Sequence, residues 1–326
     1  MQHIEFSGLK HALLLDSQGG ASAISWQQAQ HWQAEQGILW LHFDYSSTET
    51  QTWFKEHSGL DPLISEALLT EETRPRSHAI GDGLLVALRG INHNPGAAPD
   101  DMVSIRIWIE QNRIITTGRR KLLSVEDLHN FLLKHQGVSN AAEWLVDLCD
   151  RLVWRMGDTV DQFEDDMAEL EENTLSESQA TLRRDLSNLR RQTIALRRYL
   201  APQREALLRL QVEKVSWLED IHRLQLREIG DRLIRHIEDI DAVRERAAVT
   251  HEELLSHASE ELNQRMYMLA IVAAIFLPLG FVTGLLGINV AGIPGADNPY
   301  AFLVVSGTLT LAVILQILFF KWKTWL

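Results

Sequence analysis

The sequence predicts an α+β cytoplasmic domain, then long coiled-coil helices, and finally two C-terminal transmembrane helices. Residues 1–140 contain several strand-like apolar runs separated by turn residues. Residues 141–265 carry apolar residues at three- and four-residue spacing with few prolines or glycines, as in long helices. Charge then nearly disappears, since residues 261–326 contain only two of the 44 acidic and three of the 31 basic residues. At 326 residues the chain also exceeds the ~100 to 200 residues of a usual single domain.

Residues 1–140 are predicted to form a mixed α/β domain. Helices are expected to begin near Asp61, with Pro62 in the first turn, and at Ser124 as an N-cap. Glu110–Arg113 is typical of a hairpin turn between the last two strands, and the stretch 94–101 has the composition of a loop. The five expected strands are His11–Leu15, Ile38–Tyr45, Leu84–Ile91, Val103–Ile109 and Ile114–Thr117.

Residues 141–265 are predicted to form a helical stalk. One apolar stripe runs along Val153–Leu170 and another along Leu182–Leu200, and the polar stretch 173–178 is expected to turn the chain into an antiparallel pair. The first arm is acidic, and the second repeats paired arginines every seven residues from Arg183. Charged flanks of a coiled coil explain this pattern, and a carboxylate field that attracts divalent cations is the alternative. A single helical rod is expected from about Leu224 to Leu286.

Two uncharged stretches, 266–286 and 301–320, are predicted to cross a membrane. At ~1.5 Å per residue, a helix of either length spans the ~30 Å hydrocarbon core. A helical hairpin buried in a large soluble core is the alternative, but two such runs joined by a short loop favour membrane insertion.

The charged flanks of these spans predict their orientation. Arg265 precedes the first span and Lys321 and Lys323 follow the second, whereas the intervening loop has no lysine or arginine. Because positive residues favour the cytoplasmic side, both termini are expected there, including the tail 321–326. The loop 287–300 is then expected on the outer side.

Composition limits the classes of function. A formal net charge of -13 argues against a nucleic-acid partner, because such proteins rely on positive charge to neutralise phosphates. The single cysteine, Cys149, excludes an intrachain disulfide framework and a cysteine-rich zinc site. The sequence shows no nucleophile–base set or phosphate-binding loop, so neither an enzyme nor a permanently bound cofactor is predicted.

The first span carries a stripe of mostly small residues on one helical face. Two spans cannot enclose an aqueous path, so transport would require a symmetric homo-oligomer with this face turned to the axis. Close helix packing favours the same small residues, and Asn263 and Asn289 at the two ends favour the pore wall. Gly287, Ile288 and Asn289 follow the span directly, and a ring of them would present neutral oxygens to a hydrated cation. The stripe residues are Asn263, Met266, Ala270, Ala273, Leu277, Gly280 and Gly284.

These features together resemble the CorA superfamily of divalent-cation channels and transporters. The resemblance covers almost the whole chain and rests on the long helix that enters the first of two C-terminal spans, on Ile275–Pro278 and on Gly287–Asn289. Further segments are similar to the zinc-transporting branch of the superfamily. These segments are Thr73–Arg76, Leu88–Asn92, Arg197–Arg204 and Gly292–Gly295.

The resemblance implies a CorA-like pentameric funnel in the inner membrane, with the first span lining the pore and Gly287–Asn289 at the periplasmic entrance. It also implies that Zn²⁺ is the cargo, with Cd²⁺, Ni²⁺ and Co²⁺ as further ions, taken up with the help of the proton gradient. The implied partners are further copies of the chain, the bilayer and divalent metal ions. Leu286 stands where the magnesium channels usually have an aromatic residue, and the outer loop lacks their acidic segment, so both departures favour the zinc branch.

The residues themselves do not define a metal site. The spans contain no histidine or cysteine, which Zn²⁺ prefers as direct ligands. His251, His257 and Asp297 are candidates for contact with metal, with solvated histidines and a turn-forming aspartate as the alternatives. Amide oxygens that contact a hydrated ion do not separate Zn²⁺ from Mg²⁺. The alternative functions are therefore a Mg²⁺/Co²⁺ channel of the same architecture and a membrane-anchored coiled-coil sensor without transport.

Overall fold

The computed structural model describes residues 6–173, 179–288, 295 and 298–323. The chain divides into two compact units, an N-terminal unit, Met1–His251, and a C-terminal unit, Glu252–Leu326. The N-terminal unit contains a mixed sheet and three long helical segments. Among its described residues, the C-terminal unit contains helices and turns but no strand.

Seven strands form one sheet in the order β2-β1-β3-β7-β6-β5-β4. β3 and β7 pair in parallel at the centre, and the other neighbours pair antiparallel. All six residues of β3 are buried, as expected for a strand covered on both faces. The strands are β1 Leu9–Leu15, β2 Ala21–Ala23, β3 Ile38–Phe43, β4 Arg76–Ile80, β5 Gly83–Ile91, β6 Met102–Ile109 and β7 Arg113–Thr117.

Helices cover the two faces of this sheet. On one face, Phe54 and Leu68 join a buried apolar cluster with Leu41 and Phe43 of β3. On the other face, the ring of Trp40 meets that of Trp144 edge-on, with centroids 5.1 Å apart. The short elements are α1 Trp26–Gln30, a 3₁₀ turn Ala34–Gln36, α2 Thr48–Glu56, α3 Pro62–Leu69 and α4 Leu123–Leu133.

The five strands expected from the sequence are confirmed, with ends that differ by one or two residues. α3 begins at Pro62 as predicted, and the Asp61 side chain caps it by accepting a hydrogen bond from the Leu63 amide at 2.8 Å. The prediction that Ser124 is an N-cap is wrong, since α4 begins two residues earlier, with Leu122 as the N-cap. Ser124 is buried inside the first turn, so burial of the apolar residues around it decides where the helix begins. The strands β2 and β4 and the helices α1 and α2 were not predicted.

Three long helices follow the sheet: α5 Ala141–Glu172, α6 Gln179–Val212 and α7 Asp220–Leu286. Both predicted stripes form buried faces, apart from Leu170, which is half-buried. Of the predicted turn 173–178, only Asn173 lies within the described residues.

The long helices continue through their prolines. α6 includes Pro202, and α7 runs without a break through Gly230 and Pro278, so the predicted single rod is confirmed.

Ion pairs join α7 to its neighbours in the N-terminal unit. Arg232 lies 2.6 Å from Asp150 of α5, and Asp241 lies 2.6 Å from Arg197 of α6.

The C-terminal unit consists of the last part of α7 and of α8, Ala301–Trp322. Each helix contains an 18-residue window of high mean hydropathy, 2.5 for α7 and 2.3 for α8, and is long and apolar enough to cross a membrane. No residue of either window is buried by the rest of the chain. The fold class expected from the sequence is thus confirmed as an α+β sheet domain, long helices and C-terminal apolar helices.

Candidate functional site

The predicted stripe occupies one face of α7 in the C-terminal unit, and we call it the conduction stripe after the pore-lining role that the sequence predicts. All seven of its side chains or glycine positions are exposed, and Leu277 is 73% exposed. The conduction stripe consists of Asn263, Met266, Ala270, Ala273, Leu277, Gly280 and Gly284.

The opposite face of α7 is the one covered by protein. Within the stretch 266–286 the half-buried residues are Ile271, Ile275 and Leu279. Successive residues of an α-helix are about 100° apart, so the mean direction of the conduction stripe lies about 190° from that of these three residues. The half-buried residues of α8 include Val305, Leu309, Ala312 and Gln316, which share one helical face. The conduction stripe therefore faces away from the protein of its own chain.

The glycines of the stripe border open space. A Cβ atom placed on Gly280 or on Gly284 would meet no heavy atom within 4 Å beyond the helix's own backbone. Tight packing inside this chain therefore does not explain why these positions are small. A small residue leaves room for something outside the chain, either another helix or water.

The end of α7 presents backbone oxygens next to the Gly287 motif. Pro278 has no N–H, so the helical hydrogen bond to the carbonyl four residues earlier is missing. Thr283 Oγ1 donates to the carbonyls of Leu279 and Gly280 at 2.9 and 3.2 Å. The Gly287 amide then bonds the Thr283 carbonyl at 2.9 Å as the helix ends. The negative end of the helix dipole at this terminus favours a cation.

The motif itself is described only in part. Gly287 and Ile288 follow α7 directly and are exposed. Asn289 and Asp297 lie outside the described residues, so the structure carries no information on their side chains. Their roles stay predictions.

The structure does not bring the two candidate histidines together as a metal site. His251 is half-buried, and His257 is exposed with its Nδ1 3.8 Å from Glu260 Oε2. Within residues 6–173, 179–288 and 298–323, no group of three or more histidine, cysteine, aspartate or glutamate side chains is arranged to hold a metal ion.

Gln316 is a polar residue of α8 that the sequence analysis did not single out. It is half-buried, and its Oε1 is shielded from solvent without a hydrogen bond to any described residue. Polar side chains within membrane helices commonly bond across a helix contact. An amide within a 20-residue apolar span was the signal that would have identified it.

Comparisons with known proteins cover nearly the full length of the chain. The model of a family described as CorA-like Mg²⁺ transporter protein matches residues 35–322. Zinc transport protein ZntB of Yersinia enterocolitica is 34% identical over 323 residues, which are 99% of this chain and 98% of that protein. Divalent cation transporter CmaX of Pseudomonas aeruginosa is 37% identical over 316 residues, which are 93% of each. The solved structure of the full-length CmaX protein has a TM-score of 0.84 at 36% identity, with 96% of this chain and 97% of that chain covered.

Proposed function

The chain belongs to the family of CorA-like Mg²⁺ transporter proteins, and from this premise we propose that it carries Zn²⁺ across the inner membrane through a homopentameric pore. The family match confirms the resemblance seen in the sequence. The relatives are named as transporters of zinc or of divalent cations, which supports a divalent-cation transporter rather than an enzyme. Zinc as the cargo, proton coupling, the pentamer and the location of both termini in the cytoplasm are parts of the proposal.

The outward direction of the conduction stripe is the observation that carries the proposal. Two helices cannot enclose a water-filled path, because backbone and polar solute must be shielded from lipid. A face that points away from the protein of its own chain, and that is lined by small residues, fits a surface that several copies turn toward a common axis. Each copy would contribute α7 to the wall and α8 to the outer layer.

We assign ion selection to the Gly287–Asn289 motif at the end of α7. In a symmetric ring, one Asn289 amide from each copy would meet the hydrated ion together with the backbone oxygens at the helix end. Neutral oxygens allow a divalent ion to keep much of its water, so it can enter and leave quickly. Asp297 would raise the local cation concentration at the outer mouth, and His251 and His257 would meet the ion or a proton on the cytoplasmic side.

A Mg²⁺/Co²⁺ channel is the second candidate, because the matching family model is described by Mg²⁺. Two features favour zinc. Leu286 stands directly before the motif, where the resemblance to magnesium channels leads us to expect an aromatic residue, and the relatives at 34–35% identity include zinc transport proteins.

Flux measured on the full-length chain in proteoliposomes tests the proposal. A zinc-sensitive dye inside the vesicles reports entry, and Mg²⁺ at equal activity serves as the competitor. We expect zinc entry that is faster when the outside is more acidic, and we expect Asn289→Ala to reduce it to the protein-free background while the oligomer persists on size-exclusion chromatography.

Asn298→Ala is the matched control for Asn289→Ala. It makes the same change nine residues further along, at a side chain that accepts a hydrogen bond from the Tyr300 amide in a turn. We expect it to retain zinc flux. Unchanged flux in Asn289→Ala would remove that residue from the mechanism, faster Mg²⁺ than Zn²⁺ entry would establish the second candidate, and absence of any flux would indicate a sensor.

A further inference from the structure

The N-terminal unit contains a cavity of about 630 Å³ that the conduction stripe does not use. It lies between the segment after α3, the strands β5 and β6, and one face of α6. Cavities of ~300 to 1,000 Å³ are the usual size for small-molecule sites. Arginine and tyrosine side chains are prominent in its lining. These are Tyr45, Arg89, Arg119, Arg120, Arg198 and Tyr199.

Arg89 is held firmly at this cavity. Its backbone N–H donates to Gln203 Oε1 at 2.7 Å, and its carbonyl accepts from Gln203 Nε2 at 3.0 Å. Its guanidinium donates to the Thr73 carbonyl through Nε and Nη2 at 3.2 and 3.0 Å and lies 4.1 Å from the centre of the Tyr199 ring. Three of the segments noted in the sequence therefore converge here, which no linear spacing indicated.

A second guanidinium shares the same tyrosine. The carbon of the Arg198 guanidinium lies 4.7 Å from the centre of the Tyr199 ring, and its Nη2 donates to the Tyr199 hydroxyl at 2.6 Å. The positively charged guanidinium groups of Arg89 and Arg198 thus both contact Tyr199. Each charge is favoured by the ring but repelled by the other, and an anion between them would relieve that repulsion.

A third arginine lies beneath the lining and has unused donors. Arg106 on β6 is 1% exposed, its guanidinium stacks 4.2 Å from the centre of the Tyr45 ring, and its Nη2 donates to the Glu71 carbonyl. Both contacts belong to residues that line the cavity. Its Nε and Nη1 are buried without a hydrogen-bond partner among the described residues. Burial lowers the pKa of Arg106, because desolvation disfavours its charged form.

Two of the four carboxylates at the cavity pair with the other two arginines. Arg120 pairs with Asp101 at 2.5 Å, and Arg119 lies 3.5 Å from Glu71. The lining therefore has four arginines against four carboxylates, and the buried Arg106 beneath it adds a fifth positive charge. The carboxylates at the lining are Glu71, Glu72, Asp100 and Asp101.

We propose that this cavity binds a small phosphate-bearing anion. Arg89, Arg106 and Arg198 have no carboxylate within 4.0 Å in the described part of the chain. Arg89 is partly buried and Arg106 is fully buried, and a buried charge ordinarily has a partner of opposite charge. The planar guanidinium group matches the geometry of phosphate oxygens and binds them through two parallel hydrogen bonds. The proposal is independent of ion transport, because the whole site lies within the N-terminal unit.

Calorimetric titration of the full-length chain in detergent tests this site. The probes are inorganic phosphate, pyrophosphate and adenosine monophosphate, each without added divalent metal. We expect binding at millimolar concentration or tighter, and we expect Arg198→Gln to weaken it about tenfold, since a charge-assisted hydrogen bond contributes roughly 1.5 kcal/mol or more. The Arg198 side chain donates to no backbone carbonyl among the described residues, so we expect this variant to retain the fold, which unchanged thermal unfolding without probe would show.

Arg191→Gln is the matched control. It removes the same charge from the same exposed side of α6, seven residues earlier and outside the cavity lining. It should bind the probes as the unmodified chain does. Stronger binding of adenosine monophosphate than of phosphate would identify a nucleotide as the natural ligand class, and equal binding would identify the inorganic anion. The proposal would be overturned if none of the probes bound, or if Arg191→Gln weakened binding as much as Arg198→Gln.

Discussion

Two stretches of α7 form one continuous helix but are covered in different ways. In residues 220–251, apolar side chains at three- and four-residue spacing are buried against the rest of the N-terminal unit. In residues 252–286, Leu254 is the single buried residue. The buried residues of the first stretch are His222, Leu226, Ile229, Leu233, Ile237, Ile240, Val243, Ala247 and Thr250, with Gly230 also fully covered.

The two stretches of α7 differ in what covers their apolar side chains. The first stretch is amphipathic, and its apolar stripe is satisfied by the chain's own core. The second is apolar on all sides from Met266 onward, and the chain leaves nearly all of it uncovered. Such a surface is typical of a helix surrounded by lipid or by further protein. Both stretches are helical, so helix formation does not distinguish them. An exposed residue of the first stretch faces water, whereas an exposed apolar residue from Met266 onward is suited to apolar surroundings.

The largest effect that separates the two stretches is expected from replacing an apolar residue by serine. Ile240 is fully buried, so Ile240→Ser leaves a cavity and buries a hydroxyl, and we expect it to lower the free energy of unfolding of the N-terminal unit by about 4 kcal/mol. Leu269 is 69% exposed in the second stretch, so Leu269→Ser should leave that free energy unchanged. Urea unfolding of the full-length chain in detergent, followed by tryptophan fluorescence, measures both. Equal losses in the two variants would contradict the division.

A smaller effect is expected from the histidines. His42 is buried on β3, whereas His257 is exposed in the second stretch of α7. Burial holds the pKa of His42 well below its usual 6.5, with help from the nearby charges of Lys10, His11 and His129. The unfolded chain therefore takes up a proton that the folded chain does not. The free energy of unfolding should fall as the pH drops below about 6.5, by about 1.4 kcal/mol per pH unit for each such histidine.

The pH dependence of unfolding for His42→Asn isolates this contribution. Asparagine can still donate to Thr116 Oγ1, which lies 2.9 Å from His42 Nδ1, so the local hydrogen bond is retained. The acid slope should decrease by the equivalent of one proton. His57→Gln, which removes an exposed histidine of the same unit, is the matched control. A His42→Asn chain that lost stability in acid as steeply as before would contradict the assignment.

Local patterns in the sequence were sufficient for the elements whose surroundings are uniform. The two spans are apolar throughout, so length and hydropathy alone locate them. The strand runs also follow local composition, but the parallel pairing of β3 with β7 does not, because pairing depends on chain crossovers. Ser124 illustrates the same limit at one residue. Its propensity to cap a helix does not set the start of α4, because burial of the neighbouring apolar residues places it inside the first turn.

The two candidate sites differ in the same respect. The spacing of Asn263 through Gly284 places them on one helical face from the sequence alone, but only the half-buried Ile271, Ile275 and Leu279 show that this face points away from the chain. The arginine cavity depends on residues that are far apart in sequence, Arg89 and Arg198 among them. Such convergence is a property of tertiary packing, and no periodic pattern predicts it.

The smallest effect is expected from ion pairs. In the first stretch, Arg232 of α7 reaches across to Asp150 of α5 at 2.6 Å, whereas in the second, Arg265 pairs with Glu261 one turn away at 3.5 Å. A double-mutant cycle with Asp150→Asn and Arg232→Gln should give a coupling energy of about 0.5 to 1 kcal/mol, and the cycle with Glu261→Gln and Arg265→Gln below about 0.5 kcal/mol. The first pair is less exposed, so salt should weaken its coupling less steeply. Equal coupling energies in the two cycles would mean that an ion pair between two helices contributes no more than an ion pair within α7.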